Sequence, residues 1–178
     1  MPITTAPITG TWRVDRAHST VGFAVRHMVV STFRGRFEDF DATLAVEDGA
    51  LQVRGRAGVA SLVLKDPDQA AHLLSADFFD AGRHPDITFT STSVRVHGGR
   101  VELDGRLTMR GTCRPVRVTG TVEGPVEDPF GGTRLALALE AVVDRREFGM
   151  DWNLPLPKGG LALGNDVRLL VDLELVRA

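Results

Sequence analysis

The chain of 178 residues is long enough for one domain with a substantial core, and its 43% hydrophobic and 25% charged residues exclude the low-hydrophobicity compositions of disordered chains. A formal charge of −2 and a pI near 6.2 argue against a nucleic-acid surface, which carries a basic excess on one face. Nineteen of the 21 basic residues are arginine, a bias that carries little functional weight.

Residues 1–9 read as an N-terminal tail and 10–178 as a single domain. Period-two alternation begins at Val21-Phe23-Val25-His27 and returns at Phe40-Ala42-Leu44-Val46, as expected of strands with one buried face. The apolar parity changes between Phe37 and Phe40, which predicts a bulge or bend near Glu38–Asp39 in a long curving strand. Asp66-Pro67-Asp68-Gln69 supplies an N-cap carboxylate, a proline at the first helical position and a glutamine three residues past the cap. The one predicted helix, near residues 67–76, carries the apolar stripe Ala70, Leu73, Leu74 and Phe78 and reads as a plug or lid across a barrel end. Further alternating runs follow at Ile87-Phe89, Val101-Leu103-Gly105-Leu107-Met109, Val116-Val118-Gly120-Val122, Leu135-Leu137-Leu139-Ala141-Val143 and Val167-Leu169-Val171-Leu173-Leu175. Turn residues separate them: Asp48-Gly49, His97-Gly98-Gly99, Arg110-Gly111, Gly131-Gly132, Gly159-Gly160 and Gly164-Asn165-Asp166. About eight antiparallel strands and one helix fit a closed barrel or a two-sheet sandwich, and runs of roughly 10–12 residues favour the tilted strands of a barrel. The fold class is therefore all-β.

Several segments resemble the YceI-like polyisoprenoid-binding family. Trp12-Arg13-Val14-Asp15 with His18-Ser19 and the run from Val21 to His27 resembles its opening. Ser75-Ala76-Asp77-Phe78-Phe79-Asp80 with His84-Pro85 and Ile87-Thr88-Phe89 resembles its central segment. Gly105-Arg106-Leu107-Thr108-Met109-Arg110-Gly111-Thr112 with Pro115-Val116 resembles the next, and Asp144-Arg145-Arg146-Glu147-Phe148-Gly149-Met150 with Trp152 and Gly164-Asn165-Asp166-Val167 its last hairpin. The likeness runs from about Gly10 to Leu175 in order. It implies an eight-stranded, lipocalin-like antiparallel barrel whose tunnel takes up a long isoprenoid, such as a polyprenyl pyrophosphate or a quinone tail. Relatives that hold fatty amides or lipophilic antibiotics imply that fold carries over more securely than ligand.

A prenyl chain offers no hydrogen bonds, so its site needs length and an apolar lining. Phe23, Val25, Phe37, Phe40, Phe89, Leu107, Met109, Phe148 and Met150 are the candidate lining residues, with core packing as the alternative for each. His27 shares the face of Phe23 and Val25 and is either a polar anchor for a head group or a satisfied core histidine; His18 is expected to bond to backbone near the strand start. Arg34, Arg36, Arg145 and Arg146 could meet a phosphate through guanidinium forks, or stand as exposed rim charge. Asp144 could form a structural pair with Arg145. Trp12 and Trp152, near element ends, read as structural. Cys113, with no partner for a disulfide or for activation, is expected to be a buried or half-buried thiol.

The five histidines show no metal-ligand spacing, and neither a nucleophile elbow, a phosphate loop nor an Asp-rich cluster for magnesium and pyrophosphate is present. No metal or cofactor is expected, and the chain reads as a non-enzyme that binds, carries or sequesters a long-chain isoprenoid or similar amphiphile. The alternative is a partner-binding or stress-responsive scaffold whose barrel is filled by its own side chains; a hydrolase using His27 with Asp144 comes third. Exposed strand edges would suit a homodimer. No run approaches the ~18 apolar residues of a membrane span. The N-terminus lacks the basic start and apolar run of a secretory leader, which reads as a cytoplasmic location without stable membrane insertion.

Overall fold

In a computed structural model, residues 6–178 are described; residues 1–5 of the predicted tail lie outside them. Eleven strands join in one continuous sheet. They are β1 (Thr11–Val14), β2 (Thr20–His27), β3 (Ser31–Phe37), β4 (Phe40–Glu47), β5 (Ala50–Gly58), β6 (Leu62–Val63), β7 (Asp86–His97), β8 (Arg100–Met109), β9 (Thr112–Glu127), β10 (Thr133–Asp144) and β11 (Leu163–Arg177). The one α-helix among the described residues, α1, spans Pro67–Leu74.

Hydrogen bonding closes a ring of eight, β1-β4-β5-β7-β8-β9-β10-β11, because β1 pairs with both β4 and β11. All pairings are antiparallel. Beyond β1, the long strand β11 pairs with β2, which pairs with β3, which pairs with β6. The segments β1/β2, β3/β4 and β5/β6 are thus three staves, each interrupted once. Short 3₁₀ turns break the first at Arg16–His18 and the third at Val59–Ser61, while Glu38–Asp39 breaks the second. The last two breaks support each other, since Gly58 N donates to Asp39 O at 2.8 Å and Glu38 N to Ser61 O at 3.3 Å. Backbone groups freed from the ladder are thereby satisfied. The change of apolar parity between Phe37 and Phe40 coincides with the second break.

The side chains facing inward form two layers. At the end carrying the β4–β5, β7–β8 and β9–β10 turns, Trp12, Leu44, Leu103, Leu135 and Leu175 are all less than 2% exposed or at that level and fill the barrel. Full burial of each such side chain contributes roughly 1.5–3 kcal/mol. The Trp12 indole N–H donates to Thr9 O at 3.0 Å, so the ring is buried without an orphan donor. The opposite end holds an aromatic-rich layer that includes Phe23, Phe37, Phe40, Phe79 and Phe148, with α1 and its following turns packed against it.

Local chemistry sets the boundaries of α1. The Asp66 carboxylate accepts the Asp68 N–H at 2.9 Å, Pro67 opens the helix, and Ser75 ends it with its N–H on His72 O. The helix stops two residues before the predicted 76, and Phe78 lies beyond it. Phe78 and Phe79 reach the core from irregular turns, with Phe79 N bonded to Leu73 O at 3.0 Å. Two further expectations are corrected. Gly164-Asn165-Asp166 forms no turn: the β10–β11 ladder runs through Asp144 opposite Asp166, and the irregularity is a register shift against β2 between Leu163 and Val167. Cys113 is exposed, because in β9 it sits on the opposite parity from the inward Val116 and Val118.

Candidate ligand-binding cavity

Between the two layers lies a cavity of about 210 Å³ with an almost wholly apolar lining. It is evident in burial as well as in volume. Val116 and Val118 of β9, Leu169 and Val171 of β11, and Ile87 and Phe89 of β7 all lie on the inward parity and border the cavity, yet each is only half-buried. The same parity in the filled layer leaves Leu103, Leu137 and Leu173 at 0–5% exposure. Inward side chains that remain accessible are facing unfilled space, which close-packed protein interiors rarely leave.

Two glycines leave room against the strands for phenyl rings that border the cavity. A Cβ at Gly35 would lie 2.6 Å from Phe23 Cζ, and one at Gly105 would lie 2.4 Å from Phe89 Cζ. Each phenyl ring therefore lies against the neighbouring strand in space a side chain would occupy, instead of projecting across the lumen. Phe23 is also the hub of an aromatic group, with ring centroids 6.4 Å from Phe33, 6.0 Å from Phe37 and 6.1 Å from Phe79. Over the open end, His72 of α1 stands edge-on to Trp152 at 4.6 Å and to Phe78 at 5.1 Å, tying the helix to the segment after β10.

Of the residues anticipated from sequence, Phe23, Val25, Phe37, Phe89, Leu107, Met109 and Met150 border the cavity. Phe40 and Phe148 are buried in the aromatic layer but do not border it. His27, half-buried at the end of β2, stacks at 6.3 Å on Phe33 outside the lining. Arg34 and Arg36 lie on the outer face of β3, since the alternation that turns Phe33 and Phe37 inward turns them out, and Arg36 pairs with Glu38 at 3.2 Å. Arg146 pairs with Asp144 at 2.6 Å, so the aspartate's partner is Arg146 and not Arg145. His18 also differs from expectation: its Nδ1 lies 2.9 Å from the Asp15 carboxylate.

Among the described residues, Arg145 is the one buried cation at the cavity wall, 3% exposed. Its Nε donates to Gly164 O at 2.9 Å, its Nη1 to Met150 O at 2.6 Å and Trp152 O at 2.9 Å, and its Nη2 reaches Asn165 Oδ1 at 3.4 Å. Five N–H donors minus these four bonds leaves one. Burial lowers its pKa from the usual arginine value, an effect that Asp144 and Asp151 partly oppose. The ionisable residues Asp41, Arg54, Arg56 and Glu140 also border the cavity, but Arg54 pairs with Glu47, Arg56 with Asp39 and Glu140 with Arg168 on the outer surface.

A second polar group, at the filled end, combines Asp15, His18 and Glu174, whose donor atoms lie within 4.8 Å of one another. Arg134 sits among them, bonded to Asp15 at 3.0 Å and to Glu174, and to Asp128 at 2.8 Å. The guanidinium already engages both carboxylates that a cation would need, and the group fastens the start of the chain to β10 and β11.

Several lining residues escaped the sequence reading. Val118, Leu169 and Val171 lie in alternations already recognised and Phe33 shares the parity of Phe37, so parity alone could have found them. Leu73 and Phe78 belong to the apolar stripe read as a plug, though not as lining, and Phe79 comes from an irregular turn where no period marks an inward direction.

An eight-stranded antiparallel barrel, filled at one end and hollow and apolar towards the other, defines a β-barrel binding protein. The sequence profile of the YceI-like domain matches residues 12–175, and the chain belongs to the YceI-like family. Protein YceI of Escherichia coli is 30% identical over 171 residues, covering 93% of this chain and 86% of that protein. A UPF0312 protein of Pseudomonas paraeruginosa is 29% identical over the same length and with the same coverage. Among solved structures, BcnA of Burkholderia cenocepacia superposes with a TM-score of 0.75 at 22% identity, over 93% of this chain and 99% of that one. A polyisoprenoid binding domain from Saccharophagus degradans gives a TM-score of 0.70 at 10% identity, over 94% and 98%.

Proposed function

We propose that the protein binds the tail of a long-chain isoprenoid, a quinone or a similar amphiphile inside the barrel, and carries or sequesters it without transforming it. The observation that carries this reading is the set of inward apolar side chains left half-buried around an empty lumen. A barrel filled by its own side chains would have buried them. Burying about 15 ligand carbons at roughly 0.8 kcal/mol each gives on the order of 10 kcal/mol before association and ordering costs, enough for micromolar binding without a charged contact. The cavity volume of about 210 Å³ lies below the roughly 300–1,000 Å³ of sites for drug-sized ligands. A long tail therefore enters by displacing Leu73, Phe78 and Phe79, which α1 and its turns supply, rather than by spreading the hydrogen-bonded staves. Arg145, with its one remaining N–H at the wall, is the residue suited to an oxygen of the head group.

The experiment is native mass spectrometry of protein purified from its own host, followed by organic extraction. A prenyl quinone, polyprenyl phosphate or comparable amphiphile at stoichiometric amounts supports the carrier reading and names the cargo. A clean apo mass, with no uptake when such lipids are added, overturns it.

A further inference from the structure

The open end of the barrel carries a rim that folding alone does not require. The β2–β3 turn and the loop of residues 153–162 meet there, with Met28 N donating to Ala162 O at 2.7 Å. A Cβ built at Gly160 would touch Val29 Cγ2 at 3.4 Å, so the two segments are in close apposition. From them project Met28, Val29, Val30, Leu154 and Leu161, all exposed, with Val30 at 81%. Met28 and Val29 hold φ angles of 51° and 67°, in the left-handed region that is strained for a β-branched residue. A turn that accepts strain and presents valines to water is an interaction surface.

Its charge identifies the partner. The whole chain carries a formal −2, yet the stretch 26–37 contains Arg26, Arg34 and Arg36 with no carboxylate, and the stretch 152–165 contains Lys158 with none, its nearest acids Asp151 and Asp166 lying just outside it. Arg36 is engaged by Glu38, just beyond the stretch, which leaves Arg26, Arg34 and Lys158 as the rim's cations. Projecting apolar side chains among cations, without acids between them, match the boundary between anionic head groups and acyl chains. The rim is also continuous with the cavity. The strands that carry the turn supply Val25 and Phe33 to the lining, His27 stacks on Phe33, and lining residue Leu163 lies opposite His27 in the ladder.

We propose that this rim docks on an anionic lipid surface, with the 28–30 turn and the 154–161 loop entering the head-group layer and the cavity mouth facing the acyl chains. The purpose of docking rests on the cavity being a lipid site; docking itself is measured without cargo.

Flotation with vesicles of phosphatidylcholine alone, and of phosphatidylcholine and phosphatidylglycerol in equal parts, tests it at low and high salt. The full-length protein floats with the anionic vesicles, releases at high salt, and stays behind with the neutral ones. Val30→Asp and Leu154→Asp each lower partitioning about tenfold, the equivalent of losing one buried aliphatic side chain. Lys158→Gln lowers it about fivefold. Phe130→Ser, in the β9–β10 turn at the filled end, leaves it unchanged. Circular dichroism melting confirms that each variant is folded. Absence of wild-type binding to anionic vesicles overturns the proposal, as does unchanged partitioning of folded Val30→Asp and Leu154→Asp, or loss on Phe130→Ser. A concentration-dependent dimer that Val30→Asp abolishes, without vesicle binding, assigns the rim to a second copy instead. Uptake of a water-dispersed prenyl quinone, followed separately, distinguishes the two readings: flotation without uptake leaves docking standing and removes the cargo.

Discussion

Filling the cavity should strengthen the fold while weakening its capacity for ligand. Ala141 in β10 borders the lumen and is buried on the inward parity. Ala141→Leu adds three carbons, and at roughly 0.8 kcal/mol per buried methylene the gross gain is about 2.4 kcal/mol. Lost leucine rotamer freedom removes roughly 0.5–1 kcal/mol, leaving about 1.5 kcal/mol of added stability. For a chain of 178 residues that corresponds to a rise in Tm of about 3–6 °C. Leu137→Phe, in the filled layer on the same strand, is the comparison: overpacking a complete core costs about 1–3 kcal/mol. Urea unfolding followed by fluorescence and calorimetric melting measures both, alongside uptake of a prenyl probe. If Ala141→Leu destabilises the protein as Leu137→Phe does, the interior is already full and the cavity argument fails.

A carboxylate set into the lumen by Phe89→Asp meets an apolar lining with no partner, so uptake of a prenyl probe should be lost; full affinity in a folded variant would remove Phe89 from the site. Arg145→Gln strands carbonyls of Met150, Trp152 and Gly164, and should cost about 2–4 kcal/mol by denaturant titration; a change under 1 kcal/mol would mean that water replaces the guanidinium freely. The Asp15–His18 pair gives a pH signature. The Asp15 carboxylate raises the His18 pKa above its ordinary 6.5, so this stabilisation is complete below 6.5 and is lost as pH rises through the folded value. His18 and Arg134 hold the Asp15 carboxyl below its ordinary 3.8, a contribution present above 3.8 and lost as pH falls through the folded value. His18→Gln should therefore lower Tm at pH 5 and have little effect at pH 9; an equal effect at both would exclude the ion pair as its cause.

Strands β2, β4 and β7 to β11 were legible because both parity and turn chemistry mark them, whereas β1 and β6 are too short for a run and glycines interrupt the inward parity of β3 and β5; the kink at Glu38–Asp39 was legible because a missing residue's worth of parity cannot hide. The breaks at Arg16–His18 and Val59–Ser61 left no such trace, since a single 3₁₀ turn between two apolar runs looks like ordinary strand sequence. Gly164-Asn165-Asp166 has strong local turn chemistry, yet the ladder with β10 reaches Asp166 and pairing with β2 resumes at Leu163, so the strand continues through it and the tertiary pairing prevails. Parity did reach the lining: it selects Phe23, Phe37, Phe89 and Leu107, and applied to β9 it would also have turned Cys113 outward. What it cannot give is whether inward residues meet across the barrel. That depends on rings folding against Gly35 and Gly105, two strand-interior glycines whose meaning appears only when their cross-strand neighbours are known.

For a tail held as proposed, the filled layer would also act as a depth stop. Trp12, held at its N–H by Thr9 and covered by the Arg177 guanidinium 5.2 Å from its ring, forms with Leu44, Leu103 and Leu135 a floor that no tail entering from the rim can pass. Carbons of such a tail that do not fit above that floor would remain near the mouth, and the distance from Trp12 to the rim would then gauge chain length. Moving the floor, as by Leu103→Ala, would lengthen the gauge without touching a single residue at the entrance.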